Sequence, residues 1–125
     1  MTDISVTHAD DRIVSEADAT SGMVRETAVD AENAWVGVVR TAPQRPSGWH
    51  HHGEYDTYAY VLSGGIEFEF GPGGSKRVEA GPGDFVHVPA GVIHREVNPT
   101  KEEGSLVLVR VGSGPPVINV DGPAE

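Results

Sequence analysis

Residues 83–98, GDFVHVPAGVIHREVN, carry the pattern that decides the fold class. A short apolar run at 85–88 is followed by the turn Pro89-Ala90-Gly91 and by a second apolar run that contains His94. Short apolar runs bounded by Gly and Pro turns are typical of β-strands. The segment therefore predicts two strands joined by a tight turn, with a histidine just after that turn.

The chain from Trp35 onward repeats this pattern. Residues 66–70 alternate apolar and acidic side chains, which is typical of a strand with one buried and one exposed face. The same reasoning predicts strands at 23–28, 34–41, 58–62, 75–80, 85–88, 93–97 and 106–111. Most of the 16 glycines and 9 prolines lie between these runs, and no window has a sustained helical period. We therefore expect an all-β sandwich or barrel, with 117–120 as an edge strand or a segment packed across it.

The composition excludes several classes of protein. A chain of 125 residues is long enough for one domain with its own core, and the absence of cysteine excludes thiolate metal sites and disulfides. A net charge of −10 makes nucleic acid and anionic membranes poor partners. The N-terminus lacks the basic start and apolar run of a signal peptide, and no apolar stretch reaches membrane-spanning length. We therefore expect a soluble, cytoplasmic protein.

The negative charge is concentrated near the N-terminus, where residues 1–32 contain eight acidic and two basic side chains. Such a polar segment predicts a mobile acidic arm over 1–22, followed by a single barrel domain over 23–120 and a tail over 121–125. An interaction role for the arm is the less favoured reading, because runs of charge usually only keep a surface hydrated.

His50 and His52 are the candidate metal ligands in the first half of the chain. They are separated by one residue at the start of a predicted strand, so their side chains point to the same face. Two such imidazoles can bind one metal ion, and His94 is the best candidate for the third ligand. Imidazole suits iron, copper, nickel and zinc, and carboxylates would add manganese. The alternative is three histidines packed around water, which would need many hydrogen-bond partners.

The spacing of these residues resembles the cupin superfamily. The second cupin motif is matched in full, at Gly83, Pro89, Gly91, His94 and Asn98. The first motif is matched in part, by the two histidines and by Gly64. Thr57 stands where the family usually has glutamate, and Gln44 replaces the leading glycine.

This resemblance implies an all-β double-stranded β-helix, or jelly-roll, barrel of about eight to eleven strands. It also implies metal coordination by His50, His52 and His94, and a homodimer. It implies no single activity, because cupins include dioxygenases, isomerases, decarboxylases, lyases, sugar-binding regulators and storage proteins.

The threonine at 57 bears directly on the ligand set. A hydroxyl binds divalent metals less well than a carboxylate, so Thr57 is the weakest of the additional candidate ligands. Three imidazoles and water would leave open positions, and an uncompensated dication would favour an anionic substrate. Glu54 has the parity of the two histidines but falls in the turn after their strand, and Asp56 would need a bulge to point inward.

Five further residues are candidates for lining the pocket because of their positions on predicted strands. They are Tyr58, Tyr60, Phe68, Arg40 and Arg110. Each aromatic is also a plausible core residue. Each arginine could bind a substrate carboxylate or pair with acidic side chains on the surface.

These features predict a mononuclear metal cupin that acts on a small organic molecule. An oxygenase is expected if the metal is iron or copper, and an isomerase or lyase if it is manganese, nickel or zinc. The alternative is a non-catalytic cupin that binds or senses a small molecule in the same pocket.

Overall fold

A computed structural model describes residues 3–15 and 22–124. Within them the chain forms eleven β-strands and two short 3-10 helices, at Ala9–Asp11 and Pro72–Gly74. The strands are β1 Ile13–Ser15, β2 Met23–Ala31, β3 Ala34–Thr41, β4 His50–His51, β5 Asp56–Ser63, β6 Ile66–Phe70, β7 Lys76–Ala80, β8 Phe85–Val88, β9 His94–Val97, β10 Gly104–Val111 and β11 Ile118–Asn119. The predicted all-β fold class is confirmed. None of the described helices is long or apolar enough to cross a membrane.

The strands are arranged in two antiparallel sheets that together form the jelly-roll barrel. The larger sheet has the order β1-β2-β3-β10-β5-β8, and the smaller has the order β11-β4-β9-β6-β7. Neighbours in a sheet are often far apart in sequence, as for β10 between β3 and β5. The barrel therefore brings distant segments of the chain to one interior.

Alternating burial along β10 shows how the sequence builds this interior. Gly104, Leu106, Leu108 and Arg110 are buried, and the residues between them are more exposed. Because successive side chains of a strand point to opposite faces, the apolar residues of the pattern line the inside. The buried apolar core consists of Val39, Ala59, Val61, Ile66, Phe68, Val88, Leu106 and Leu108.

The interior changes from apolar to polar along the barrel axis. Leu106 lies opposite Val61 where β5 ends, whereas Arg110 lies opposite Thr57 where β5 begins. All four side chains are buried. The apolar end supplies the hydrophobic core, and the polar end is where a chemical site can form.

Two turn residues hold the apolar end closed. Gly64 joins β5 to β6 with a φ of 73°, and a Cβ atom there would be 2.8 Å from Cα of Gly104. Asn98 is 1% exposed, and its Nδ2 donates to the carbonyl oxygens of Thr41 at 3.3 Å and Glu102 at 2.7 Å. Such a turn needs glycine, because only glycine adopts this φ without strain and leaves room for the neighbouring backbone.

The first strand of the structure lies closer to the N-terminus than the predicted first strand at 23–28. Residues 13–15 form β1 and pair with β2, so the described part of the predicted arm includes one strand of the sheet. Residues 16–21 lie outside the described residues. In the predicted tail, the carbonyl oxygen of Ala124 accepts a 3.0 Å hydrogen bond from the backbone N–H of Gly73. The limits 1–22, 23–120 and 121–125 stay a prediction.

Candidate metal centre

Three histidines meet at the polar end of the barrel. His50 in β4 is directly opposite His94 in β9, and His52 follows β4 on the same face. Their side chains are buried, with 0%, 2% and 4% exposed for His50, His94 and His52. One nitrogen from each ring lies within 4.8 Å of the other two. The structure therefore brings together the three histidines that the sequence pattern selects.

Each imidazole is oriented by a backbone carbonyl. The three pairs are Nδ1 of His50 with the oxygen of Gly48 at 2.8 Å, Nδ1 of His52 with that of Pro116 at 2.9 Å, and Nδ1 of His94 with that of Val92 at 2.9 Å. A carbonyl only accepts, so Nδ1 carries the proton in each ring. In the neutral ring this leaves the lone pair on Nε2, which is the tautomer that binds a metal through Nε2.

Glu96 is a fourth member of the site, which the sequence reasoning missed. It lies two residues after His94 on β9, and its Oε1 is 3.4 Å from Nε2 of His50. Its Oε2 is 3.7 Å from Nε2 of His94. The signal was present in the sequence, because residues two apart on a strand share a face. A buried carboxylate therefore accompanies the three imidazoles.

Ser47 connects Glu96 to the strand of His50. The backbone N–H of Glu96 donates to Ser47 Oγ at 2.9 Å, and the N–H of Ser47 donates to the carbonyl of Glu96 at 2.8 Å. Ser47 Oγ in turn donates to the carbonyl of Gly48 at 2.9 Å, which also accepts from His50. These bonds fix the carboxylate relative to the imidazole.

Burial and charge shift the pKa values of all four groups. Burial lowers the pKa of His50, but the contact with the Glu96 carboxylate outweighs it and raises the pKa above 6.5. Burial raises the pKa of Glu96, but its contact with His50 and the charges of the neighbouring histidines hold it at about 2. Burial lowers the pKa of His52 to about 3 and also lowers that of His94. Near neutral pH the site thus contains a carboxylate and at least two neutral imidazoles.

These groups fit a divalent transition metal. Nε2 of His50 and Nε2 of His94 are buried without a hydrogen-bond partner among the described residues. A buried polar atom without a partner costs about 1–3 kcal/mol. Facing nitrogen lone pairs and a carboxylate repel one another unless a cation lies between them. Three imidazoles and one carboxylate are a donor set suited to iron, manganese, nickel, zinc or copper.

The other candidate ligands lie in different places. Thr57 is buried and lines the barrel interior. Asp56 points to the outside, where its Oδ1 accepts from the N–H of Ala90 at 3.2 Å and lies 3.1 Å from Nε2 of His87. Glu54 is exposed in the turn before β5. Neither of these two carboxylates therefore joins the three histidines.

More than one cavity adjoins the site, including one of about 190 Å³ lined by Phe68 and His94. Two other cavities share a pair of arginines. The interior one has a volume of about 20 Å³, room for one or two water molecules, and includes His52, Thr57 and Glu96 in its walls. The outer one has a volume of about 270 Å³. Arg25 and Arg110 line both cavities and so form the boundary between them. Arg25, which is 6% exposed, was not foreseen from the sequence.

The predicted pocket residues divide into two groups. Phe68 and Arg110 line the interior cavity, and the ring of Phe68 is 5.9 Å from that of His94. Tyr58 and Tyr60 lie on the other face of β5, where Tyr58 is 44% exposed. Arg40 also lies outside these cavities.

The outward residues have partners of their own. Tyr58 stacks on the ring of His87 at 4.7 Å, and Tyr60 contacts the ring of Phe85 at 4.8 Å. Arg40 forms an ion pair with Glu26 at 2.8 Å. These contacts are of the kind expected on the surface of a sheet.

Known proteins resemble this chain in both structure and sequence. RemF, a polyketide cyclase from Streptomyces resistomycificus, is 22% identical, with a TM-score of 0.76 over 94% of this chain and 85% of that one. The Fe(II) form of HppE is 17% identical, with a TM-score of 0.74 over 88% of this chain and 62% of that one. At these identities the likeness establishes the fold.

A sequence relative carries a functional name. "Putative quercetin 2,3-dioxygenase PM1685" from Pasteurella multocida (strain Pm70) is 34% identical over 61 residues, or 49% of this chain. The match covers 26% of that relative, so this chain aligns with about a quarter of its length. The sequence model of the cupin domain family matches residues 37–110 of this chain. Because this match spans more than half of the chain and contains all three clustered histidines, the protein belongs to the cupin domain family.

Proposed function

We propose that the protein is an enzyme that uses one divalent transition metal, held by His50, His52, His94 and Glu96, to transform a small organic molecule. One observation carries the proposal: three buried imidazoles and a buried carboxylate meet at a single place inside the barrel. Such a group is costly to bury without a cation, so its presence favours a metal-dependent role.

The chain's own residues prepare the site for that metal. The carbonyls of Gly48, Pro116 and Val92 hold the three rings in the metal-binding tautomer. The carboxylate of Glu96 offsets part of the charge of a dication. The metal, when bound, supplies Lewis-acid or redox chemistry. The small interior cavity limits the water that can reach the reacting group.

The outer cavity is the proposed binding place for the substrate. It is lined by Trp35, Tyr55 and Pro116 as well as by Arg25 and Arg110, and it shares the two arginines with the interior. A molecule bound there would meet aromatic and apolar side chains, the polar side chains of Thr27 and Asp30, and a cationic boundary towards the metal. This combination is common in pockets for small organic ligands.

The named relatives support the enzyme class without fixing the reaction. They include a polyketide cyclase, an Fe(II) protein and a relative named as a quercetin dioxygenase. We infer oxygenase chemistry if the native metal is iron or copper, and isomerase or lyase chemistry if it is manganese, nickel or zinc. A homodimer and a location in the cytoplasm also stay predictions.

The test begins with the metal content of protein purified without chelator and without nickel affinity. We expect bound metal close to equimolar with the chain, as measured by inductively coupled plasma mass spectrometry. Loss of that metal in His52→Ala, but not in His87→Ala, would support the ligand set. An equally low metal content in wild type and His52→Ala, even after incubation with each candidate metal, would overturn the proposal.

Activity is tested next on the metal-loaded protein. Oxygen uptake with quercetin, followed by screening of small carboxylic acids, separates the reaction classes. Saturable binding of such molecules without turnover would establish the alternative, a metal-dependent binding or sensor protein.

A further inference from the structure

Thr57 and Arg110 lie side by side on the inner face of the barrel. They are directly opposite each other in the antiparallel pair of β5 and β10, so their side chains point to the same face. They are 3% and 4% exposed. Trp35 lies beside Arg110 in β3, and Cζ of Arg110 is 5.5 Å from the centre of its ring. This cation–π contact helps to fix the position of the guanidinium.

The hydroxyl of Thr57 is a buried polar group that a ligand could satisfy. Its Oγ1 makes no hydrogen bond with any residue in the part of the chain that the structure describes. Buried hydroxyls normally have a partner. Thr57 lines the interior cavity together with His52, Glu96 and Arg110. A molecule that entered this cavity would therefore meet a hydrogen-bond donor beside the metal ligands.

Arg110 brings a positive charge to the cavity of those ligands, because it lines the interior cavity together with His52 and Glu96. Arg110 makes other contacts within the protein, and a guanidinium with five N–H donors can keep those contacts while donating to an anion. The wall formed by β5 and β10 thus offers a hydroxyl and a cation to the cavity of the metal centre.

We propose that Thr57 and Arg110 form a carboxylate-binding subsite beside the metal centre, and that the substrate is a small carboxylic acid. The proposal rests on the metal-dependent function described above. The carboxylate of the substrate accepts hydrogen bonds from the planar guanidinium and from the Thr57 hydroxyl, a geometry in which arginine is favoured over lysine. The rest of the substrate occupies the outer cavity, between Trp35 and Tyr55.

The sizes of the two cavities support this division. The interior cavity of about 20 Å³ can accept a group no larger than a carboxylate. The outer cavity of about 270 Å³ can accept a ring or a short chain. Because Arg110 lines both, a carboxylate bound to it lies at the passage from one cavity to the other.

The experiment measures the binding of acetate and of acetamide, its uncharged analogue, to the full chain loaded with Co²⁺. The visible absorption of Co²⁺ reports a change in its coordination, and calorimetry reports affinity directly. Co²⁺ affinity is measured first for every protein. We expect acetate to bind at least about tenfold more tightly than acetamide, because charge-assisted bonds to arginine are lost with the amide.

Three variants locate the effect. Arg110→Met is expected to weaken acetate binding at least about tenfold with Co²⁺ affinity retained. The matched control is Arg40→Met, which removes an outward guanidinium and is expected to leave acetate affinity unchanged. Thr57→Val removes the hydroxyl with little change in size and is expected to weaken acetate binding about tenfold with Co²⁺ affinity retained.

The outcomes distinguish this proposal from the one on which it rests. A wild-type protein that does not bind Co²⁺ rejects the metal centre and the subsite together. Co²⁺ binding with equal acetate affinity in wild type and Arg110→Met overturns the subsite alone. If Arg110→Met does not fold, Thr57→Val decides, since an unchanged acetate affinity in that variant also overturns the subsite.

Discussion

Oε1 of Glu96 lies 3.4 Å from Nε2 of His50, across two strands that pair at a single register position. The carboxylate is almost fully buried, and the histidine is completely so. Their closeness means that a cation stabilises the pair, whether it is a proton on His50 or a metal ion between the two side chains. Proton and metal therefore compete for the same place, and several measurable consequences follow from this competition.

Replacing Glu96 with glutamine keeps the size of the side chain and removes its charge. We expect Glu96→Gln to weaken the affinity for divalent metal at least about tenfold, because groups that bind or orient metal ligands typically contribute that much. Isothermal titration calorimetry measures the change. Glu79→Gln, at an exposed position on β7, is the control and should bind as wild type does. Equal affinity in the two variants would remove Glu96 from the ligand set.

Metal binding should stabilise the fold through His52. At a free metal concentration one hundred times the dissociation constant, binding adds about 2.7 kcal/mol to the free energy of unfolding. For a domain of this length we expect the melting temperature to rise by about 10 °C. His52→Ala should lose most of that rise, whereas His87→Ala, whose side chain is 49% exposed, should keep it. Differential scanning calorimetry with and without metal checks both, and a full rise in His52→Ala would contradict the assignment.

The pH dependence of metal binding should involve one proton. The pKa of His50 is raised, so below that pKa a metal must displace its proton, and affinity should fall about tenfold for each unit of pH. His52, with a pKa of about 3, and His94, whose pKa is lowered, are already neutral and release none. Calorimetry near pH 6 in buffers of different ionisation enthalpy counts the protons released. A release clearly above one proton would mean that more than one of the three rings is protonated before metal binds.

The same measurement on Glu96→Gln tests the cause of the raised pKa. Without the carboxylate, burial and the charge of Arg25 lower the pKa of His50 and only the hydrogen bond with Gly48 raises it, so the pKa should fall. The variant should therefore bind metal more weakly but with little dependence on pH between about 5 and 7. An unchanged slope would show that Glu96 is not what holds the proton on His50.

Strand periodicity was enough to predict an all-β fold and to place His50 and His52 on one face, whereas the jelly-roll was implied by the cupin motifs, which also contain His94. The buried face of 66–70 and the shared face of the histidines at 50 and 52 both follow from the two-residue repeat of a strand, and the structure confirms both. Counting two residues on from His94 along the same strand would have identified Glu96 as a side chain on the same face. It would also have placed Tyr58 outside, since Thr57 and Tyr58 must point to opposite faces.

Other features depend on the register between distant strands. Arg110 faces Thr57 because β10 pairs with β5 at that position, and nothing local to either strand specifies the pairing. Arg25 reaches the same interior through β2, whereas Arg40 on β3 has the opposite parity to the buried Val39. Only the three-dimensional arrangement shows which arginine lies inside.

Ser47 provides a separate test of how the site is held together. Ser47→Ala removes the acceptor of the Glu96 N–H and the donor to the carbonyl of Gly48. An unsatisfied buried N–H costs about 1–3 kcal/mol, so the melting temperature of the metal-free protein should fall by several degrees. Metal affinity should fall about tenfold because the carboxylate is less precisely placed.

The number of protons released when metal binds distinguishes Ser47→Ala from Glu96→Gln. The variant retains the Glu96 carboxylate, so about one proton should still be released when metal binds near pH 6. Ser105→Ala, which disrupts the exposed pair with Ser63, is the control and should leave metal affinity unchanged. If Ser47→Ala instead behaved like Glu96→Gln, with the proton release lost, the hydroxyl would be setting the charge state of His50, and a purely positional role would be wrong.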